Sequence, residues 1–451
     1  MDTLNDATAR LCAHVAGLQW RDVDLGARNA AKLFLEDSIG VALVGWRHPF
    51  VKSLVGCARG WGRGREARLI GGNGERWPAP TAALINAFLI HCQEFDCVHE
   101  PAVVHPMAVI AACLLAHADM RGCGGEDLLT ALVAGVDVAA TLGVASRSQL
   151  KFFRPAQCGA LGAAAALAKL NGLDAAGIRA ALGVCLGQLS GTMQAHREGV
   201  AALPMQIAYN ARNAIVACDL TMAGLEAPLH AIEGEFGYLH LFEQSFDLDA
   251  ACASLGRRFR ITEVSHKPFP SGRATHGGIA ALQQLLAERG DGVESVTLIA
   301  PPLVRQLVDR RALPGMRANT AKLCFPWCAA AVLLHGSVDI DDFSDGALAD
   351  ARRYALAECV SISADSNLDP NALGPVSLRL RYRDGSERMA WVTDTPGSPS
   401  NPLTAEAHRE KFRRNWHSRW NAANEPIAFE AQIAELESAK DAGALLDSLN
   451  R

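Results

Sequence analysis

The stretch "VSHKPFPSGRATHGGI", residues 264–279, divides the chain into two textures. Two prolines restrict its backbone and Gly272 permits close approach. Ser265, His266, Lys267, Ser271, Arg273, Thr275 and His276 place chemically capable side chains along it. Linkers rarely combine lysine, arginine and two histidines with fixed prolines. The segment therefore reads as one wall of a cleft between domains, a favoured place for a ligand.

Upstream of this segment, helix follows helix. Residues 27–46, 79–95, 107–120, 125–146, 157–172, 174–191 and 199–224 all carry apolar residues at i, i+3, i+4 and i+7. Alanine and glycine are dense there, and small side chains let helix backbones approach closely. Downstream, "ESVTLIAPPLV" (294–304), "CVSISAD" (359–365), "VSLRLRYRDG" (376–385) and "ERMAWVTD" (387–394) alternate or carry β-branched residues, and "RDGSE" reads as a hairpin turn. Helical runs at 274–288 and 320–336 interleave with them. The Pro/Ser stretch "TPGSPSNPLT" (395–404) reads as a linker, after which amphipathic helix returns. The fold class expected is mainly α: a large all-helical domain formed by 1–265 together with 396–451, and a smaller α/β lid domain over 266–395.

Composition narrows the function. In 451 residues, 49% are hydrophobic and 20% charged, as in a folded globular chain, and its length makes two domains the prior. A net charge of −5, with no basic stripe interleaved with aromatics, argues against nucleic acid. The start "MDTLNDATARLCAHVAGLQW" lacks a basic region ahead of an apolar one, and the apolar helical runs at 81–95 and 107–119 are too short and interrupted to span a bilayer, so neither secretion nor a membrane is expected. Thirteen scattered cysteines without a paired CxxC read as small buried hydrophobes and fit a reducing cytoplasm.

A second polar stretch, "HCQEFDCVHEPAVVHP" (91–106), lies between two apolar runs. His91 continues the preceding helical face and reads as readily as a core histidine. Glu94, Asp96, His99, Glu100 and His105 fall in a loop ahead of a helix that opens at Pro106. So many titratable groups between buried helices point to acid/base chemistry. There is no HExxH, CxxC or calcium-loop spacing, which makes a metal the minor option. Arg154, in "RSQLKFFRPAQCG", suits bidentate capture of a carboxylate. Gln194 and His196 gather at a helix junction in "SGTMQAHREG". The glycines of 60–75 match no nucleotide fingerprint.

Taken in order and spacing, "INAFLIHCQEFD", "GEDLLTALVAGVDVAATLG", "FFRPAQCGALGAAAALAKLNGL", "EGEFGY" and "SHKPFPSGRATHGGI" resemble the MmgE/PrpD family over roughly residues 5 to 395. That family includes 2-methylcitrate dehydratase, cis-aconitate decarboxylase and iminodisuccinate epimerase. The resemblance implies a helical domain with an α/β lid, a homodimer, and acid/base chemistry on small di- or tricarboxylates without metal or other cofactor. It puts the family's acidic segment on Glu94 and Asp96, with Cys97 where a second aspartate is common. It puts the family's HP histidine on His105, its lysine on Lys267 and a closing histidine on His276. Three family positions differ: a histidine appears as Arg154, a lysine as Leu203 and a lid tyrosine as Trp327.

Together these readings predict a lyase-type enzyme acting at a carbon α to a carboxylate, with 2-methylcitrate dehydratase-like dehydration as the leading reaction. Decarboxylation, epimerisation and a non-catalytic carboxylate-binding role remain as alternatives. The residues expected to act in proton transfer are His105, Asp96, Glu94, Lys267, His99 and His276. Those expected to bind substrate are Arg154, Lys267, Arg273, Ser271, His196 and Gln194.

Overall fold

The computed structural model describes residues 6–420 and 425–449; the extreme amino-terminal residues 1–5 of the segment read for a leader lie outside the described residues. The chain is mainly α, with a small α/β portion. Its helical body is built around Leu25–Gly45, Ala79–His91, Pro106–Arg121, Gly125–Ala145, Arg154–Leu170 and Ala202–Met222, whose apolar residues share one core. Pro106 occupies the first turn of its helix, where its missing N–H costs nothing.

Glycines set how close these helices come. A Cβ at Gly45 would lie 2.2 Å from the carbonyl oxygen of Leu89, and one at Gly162 would lie 2.5 Å from that of Gly135. The backbones touch where side chains would otherwise separate them. Helix Gly125–Ala145 is long and apolar enough to cross a bilayer, but it is enclosed by its neighbours as a core helix.

A second core spans residues 274–390 and packs helices His276–Glu288 and Phe325–His335 on a four-stranded sheet. The strand order is Val360–Ala364, Val293–Ala300, Val376–Tyr382, Glu387–Val392, with the first pair parallel and the others antiparallel. Gly385 turns the last hairpin at φ 82°. Pro301 and Pro302 end the strand run expected through 304, and a helix Pro302–Val308 begins there. The helix expected over 320–336 breaks at Leu323–Cys324, ahead of Pro326.

The carboxy-terminal part returns to the helical core through Phe412, Trp416, Phe429 and Ile433. Its last stretch is a chain of short turns rather than one amphipathic helix. The expected 395–404 linker is ordered: Gly397, at φ 87°, accepts the His266 N–H at 2.8 Å.

Two short strands join the chemically rich stretches. Val98–His99 pairs antiparallel with Val264–Ser265. This bridge seats the loop after His91 directly beside Lys267.

Candidate active site

The loop between helices Ala79–His91 and Pro106–Arg121 is held in an unusual conformation. Glu94 and Val103 both sit at φ 52°, a left-handed region that costs a non-glycine residue on the order of 1–3 kcal/mol. Lys267, fully buried, offsets that cost at Glu94 by donating both to its carbonyl oxygen (3.1 Å) and to its carboxylate (3.2 Å).

At the centre lies Asp96, buried, with two imidazoles on one carboxylate. His91 Nδ1 lies 3.0 Å and His105 Nδ1 3.2 Å from its Oδ2. The His105 ring also donates from Nδ1 towards the Cys97 carbonyl at 3.1 Å. The rings meet edge to face, 5.0 Å apart. With Nδ1 engaged, each ring has Nε2 left for chemistry. His91 Nε2 is buried without a hydrogen-bond partner, and Glu94 Oε1 is 3.7 Å away.

One carboxylate cannot keep both rings cationic, and their surroundings separate them. Burial disfavours a charge on His91, but Asp96 and then Glu94 outweigh it, so its pKa is raised. Burial dominates at His105, whose pKa is lowered despite Asp96, with Lys267 repelling its proton. Glu94 would be raised by burial, yet Lys267, His91 and His105 pull it down to about 2. Asp96 is driven well below the usual carboxylate range by the two histidines, against its burial. The surroundings thus push the two rings' titrations apart, His91 upward and His105 downward, the opposed pair that acid/base chemistry needs.

Both rings line a cavity together with Glu94, His196 and Arg273. The rest of its wall is apolar, including Val98, Leu150, Phe153, Met193, Leu307 and Leu373. Residues of both cores contribute to its wall, among them Phe153 from the helical core and Ala274 and Val308 from the second.

Two family descriptions match nearly the whole chain: the MmgE/PrpD N-terminal domain over residues 9–251 and the MmgE/PrpD C-terminal domain over 269–434. The chain belongs to the MmgE/PrpD family. Relatives include the cis-aconitate decarboxylase-like protein oryM of Aspergillus oryzae, 26% identical over 438 residues, covering 91% of this chain and 90% of that protein. Cis-aconitate decarboxylase of Aspergillus terreus is 25% identical over 438 residues, covering 90% and 88%.

The structure gathers His105, Asp96, Glu94 and Lys267 into one cluster in this MmgE/PrpD chain, with His196 and Arg273 on the cavity wall. Burial pushes His196 down to about 4, with Arg310 adding to the effect. Arg273 reaches the cavity, but its guanidinium pairs with Glu100 at 2.8 Å and with the carbonyls of His266 and Pro396.

Other expected residues have different work. Arg154, read as a carboxylate anchor, is buried and spends its donors on Glu243 (3.0 Å), Asn371, Ser146 and two carbonyls. It ties the helical core to the segment that carries Asn371 and is absent from the cavity wall. His99, read as an acid or base, has both ring nitrogens engaged, Nε2 with Glu263 at 2.8 Å and Nδ1 with the Ala102 N–H. Gln194 is exposed and hydrogen-bonds Glu198 one turn on. Ser271 pairs with Thr275 Oγ1, and His276 with the Ser271 carbonyl, both off the cavity wall. At the departed family positions, Leu203 packs in the helical core, and Trp327 donates to the Asp342 carbonyl within the second core.

His91 is the site residue absent from the sequence-based expectation. Its signal was the spacing to Asp96: a histidine in the last helical turn and an acid five residues on, brought together by the turn at Glu94.

Proposed function

We propose that this chain is a lyase-type enzyme that acts on a small polycarboxylic acid by side-chain acid/base chemistry, with dehydration of a 2-methylcitrate-like hydroxy acid as the leading reaction. The observation that carries this reading is geometric: two imidazoles hold one Asp96 carboxylate through Nδ1 and line the same cavity, in surroundings that shift their pKa values in opposite directions. Neutral His105 takes the proton α to the carboxylate through Nε2. The electron pair left behind forms the carbon–carbon double bond as the C–O bond breaks. His91 delivers its Nε2 proton to the departing hydroxyl, which leaves as water.

Asp96 orients both rings and stabilises whichever carries the charge. Lys267 holds Glu94, and Glu94 in turn biases the proton towards His91. The apolar wall suits a substrate bearing a methyl or methylene arm, and it excludes water from the reacting centre. Family membership supports the reaction class. Thirteen free cysteines suit a reducing compartment, and we place the enzyme in the cytoplasm.

A second reading, decarboxylation, is favoured by the activity that the Aspergillus relatives carry in their names. It needs only the acid: carbon dioxide leaves, and His91 protonates the carbon. A panel of hydroxy- and unsaturated polycarboxylates, followed by proton NMR with binding measured in parallel, tests both. Loss of water from a hydroxy acid supports the leading reading, and carbon dioxide release from an unsaturated acid supports the second. Binding without turnover across the panel overturns both and leaves a carboxylate-binding protein.

A further inference from the structure

Away from the active-site cavity, three residues distant in sequence meet inside the protein. Asp37 lies in helix Leu25–Gly45, His266 follows the strand Val264–Ser265 that leads into the second core, and His408 lies in helix Ala405–Arg419. All are buried, and each offers a donor atom within 4.8 Å of the other two. Each also carries a buried atom with no hydrogen-bond partner among the described residues: Asp37 Oδ2, His266 Nε2 and His408 Nδ1. Buried polar atoms of this kind are unfavourable unless something satisfies them.

We propose that Asp37, His266 and His408 form a binding site for one divalent transition-metal ion of the zinc class. Two imidazoles and one carboxylate suit zinc, cobalt or nickel, whereas calcium and magnesium require mostly oxygen ligands. The surroundings are those of a metal-binding histidine. Glu36 Oε2 lies 2.8 Å from His408 Nε2, so that nitrogen carries the proton and Nδ1 keeps its lone pair for a ligand. His266 is fixed by stacking on Phe34 at 4.4 Å. Lys411 occupies only the other oxygen of Asp37, Oδ1, at 2.6 Å, and its ammonium is held by the Phe95 carbonyl and ring.

The active-site trio His91, Asp96 and His105 is the only other such grouping of three among the described residues, and it differs in the decisive respect. There both ring Nδ1 atoms already lie within hydrogen-bond distance of the carboxylate, so protons occupy the places a metal would take. The Asp37 site is therefore a staple rather than a reaction centre. It would tie helix Ala405–Arg419 and the crossing between cores to helix Leu25–Gly45. Because His266 precedes Lys267, it would also fix the backbone from which Lys267 reaches Glu94.

Protein stripped with chelator, dialysed and then titrated with Zn²⁺ or Co²⁺ tests this. One equivalent of ion per chain, measured by elemental analysis, is expected, with a rise in Tm and the visible bands of Co²⁺ on nitrogen and oxygen ligands. His408→Gln and Asp37→Asn should lose the ion, and His91→Gln should keep it. Glu36→Gln, which leaves all three ligands in place, should weaken affinity about 10- to 100-fold and covers the case in which a ligand variant fails to fold. Wild-type protein that binds no stoichiometric ion would overturn the proposal and assign the three atoms to a buried water. Loss of the ion in His91→Gln but not in His408→Gln would overturn it equally. Neither result depends on turnover, so this proposal and the acid/base reading fail separately.

Discussion

At the scale of single residues, the account rests on the inequality of His91 and His105. With His105 lowered and His91 raised, kcat/KM should follow a bell in pH. The acid limb should fall below the ordinary histidine value, where His105 takes up a proton, and the basic limb above it, where His91 loses one. In His91→Gln the basic limb should vanish, with kcat down about 100- to 10,000-fold, the range expected for a general acid; a pH profile of steady-state rates reads both. Glu94 gives a stability counterpart. Its folded pKa of about 2 lies below the usual 4.5, so its contribution is complete above about pH 4.5 and is lost as pH falls towards 2. Urea titrations at pH 3 and 6 should show a pH-dependent loss that is smaller in Glu94→Gln. Glu94, Asp96, His105 and Lys267, which the sequence marks by residue type and order, cluster in the structure. The sequence could not show that His91, apparently a core histidine at a helix end, turns back onto Asp96. That depends on the positive φ at Glu94, which no residue type there advertises.

At the scale of elements, glycine contacts and one buried ion pair carry the argument. Gly162→Val should force apart the helices Gly125–Ala145 and Arg154–Leu170, costing about 1–3 kcal/mol from overpacking, as read from denaturant midpoints. Arg154→Ala should cost about 3–5 kcal/mol, because Glu243 is left buried and unpaired. Its effect on KM should be small in whatever enzyme remains folded, since the guanidinium does not reach the cavity. The helices were legible almost throughout, because alanine-rich periodicity over a dozen residues or more leaves few alternatives. Elements were misread where proline intervened: at Pro301–Pro302, where a strand gives way to a helix, and ahead of Pro326, where one helix becomes two. The engagement of Arg154 is hidden from the sequence for a different reason. Its partner Glu243 lies 89 residues away, and sequence offers no measure of whether an arginine's donors are already taken.

At the scale of the whole molecule, the texture change at 264–279 marks where the chain crosses from the helical core to the second one, and the strand pair 98–99 with 264–265 lays both chemical stretches on one cavity. The Asp37, His266 and His408 cluster was invisible for the same reason that the cavity was partly visible. Motif spacing reports ligands that are close in sequence, and these three lie far apart along the chain. Leu220, Met222, Leu225, Leu229, Phe236 and Leu241 are exposed within one segment of the chain, and we propose that a second copy covers them. Sedimentation should show a dimer, and Phe236→Asp with Leu241→Asp should shift it to monomer. The most direct test of the central claim is hydrogen exchange at the α-carbon, followed by NMR in D₂O with hydroxy acids that bind. The acid/base pair predicts deuterium incorporation by wild-type enzyme and its loss in Asp96→Asn. A bound acid whose α-proton never exchanges or reacts, or an Asp96→Asn enzyme that exchanges it as fast as wild type, would contradict the account.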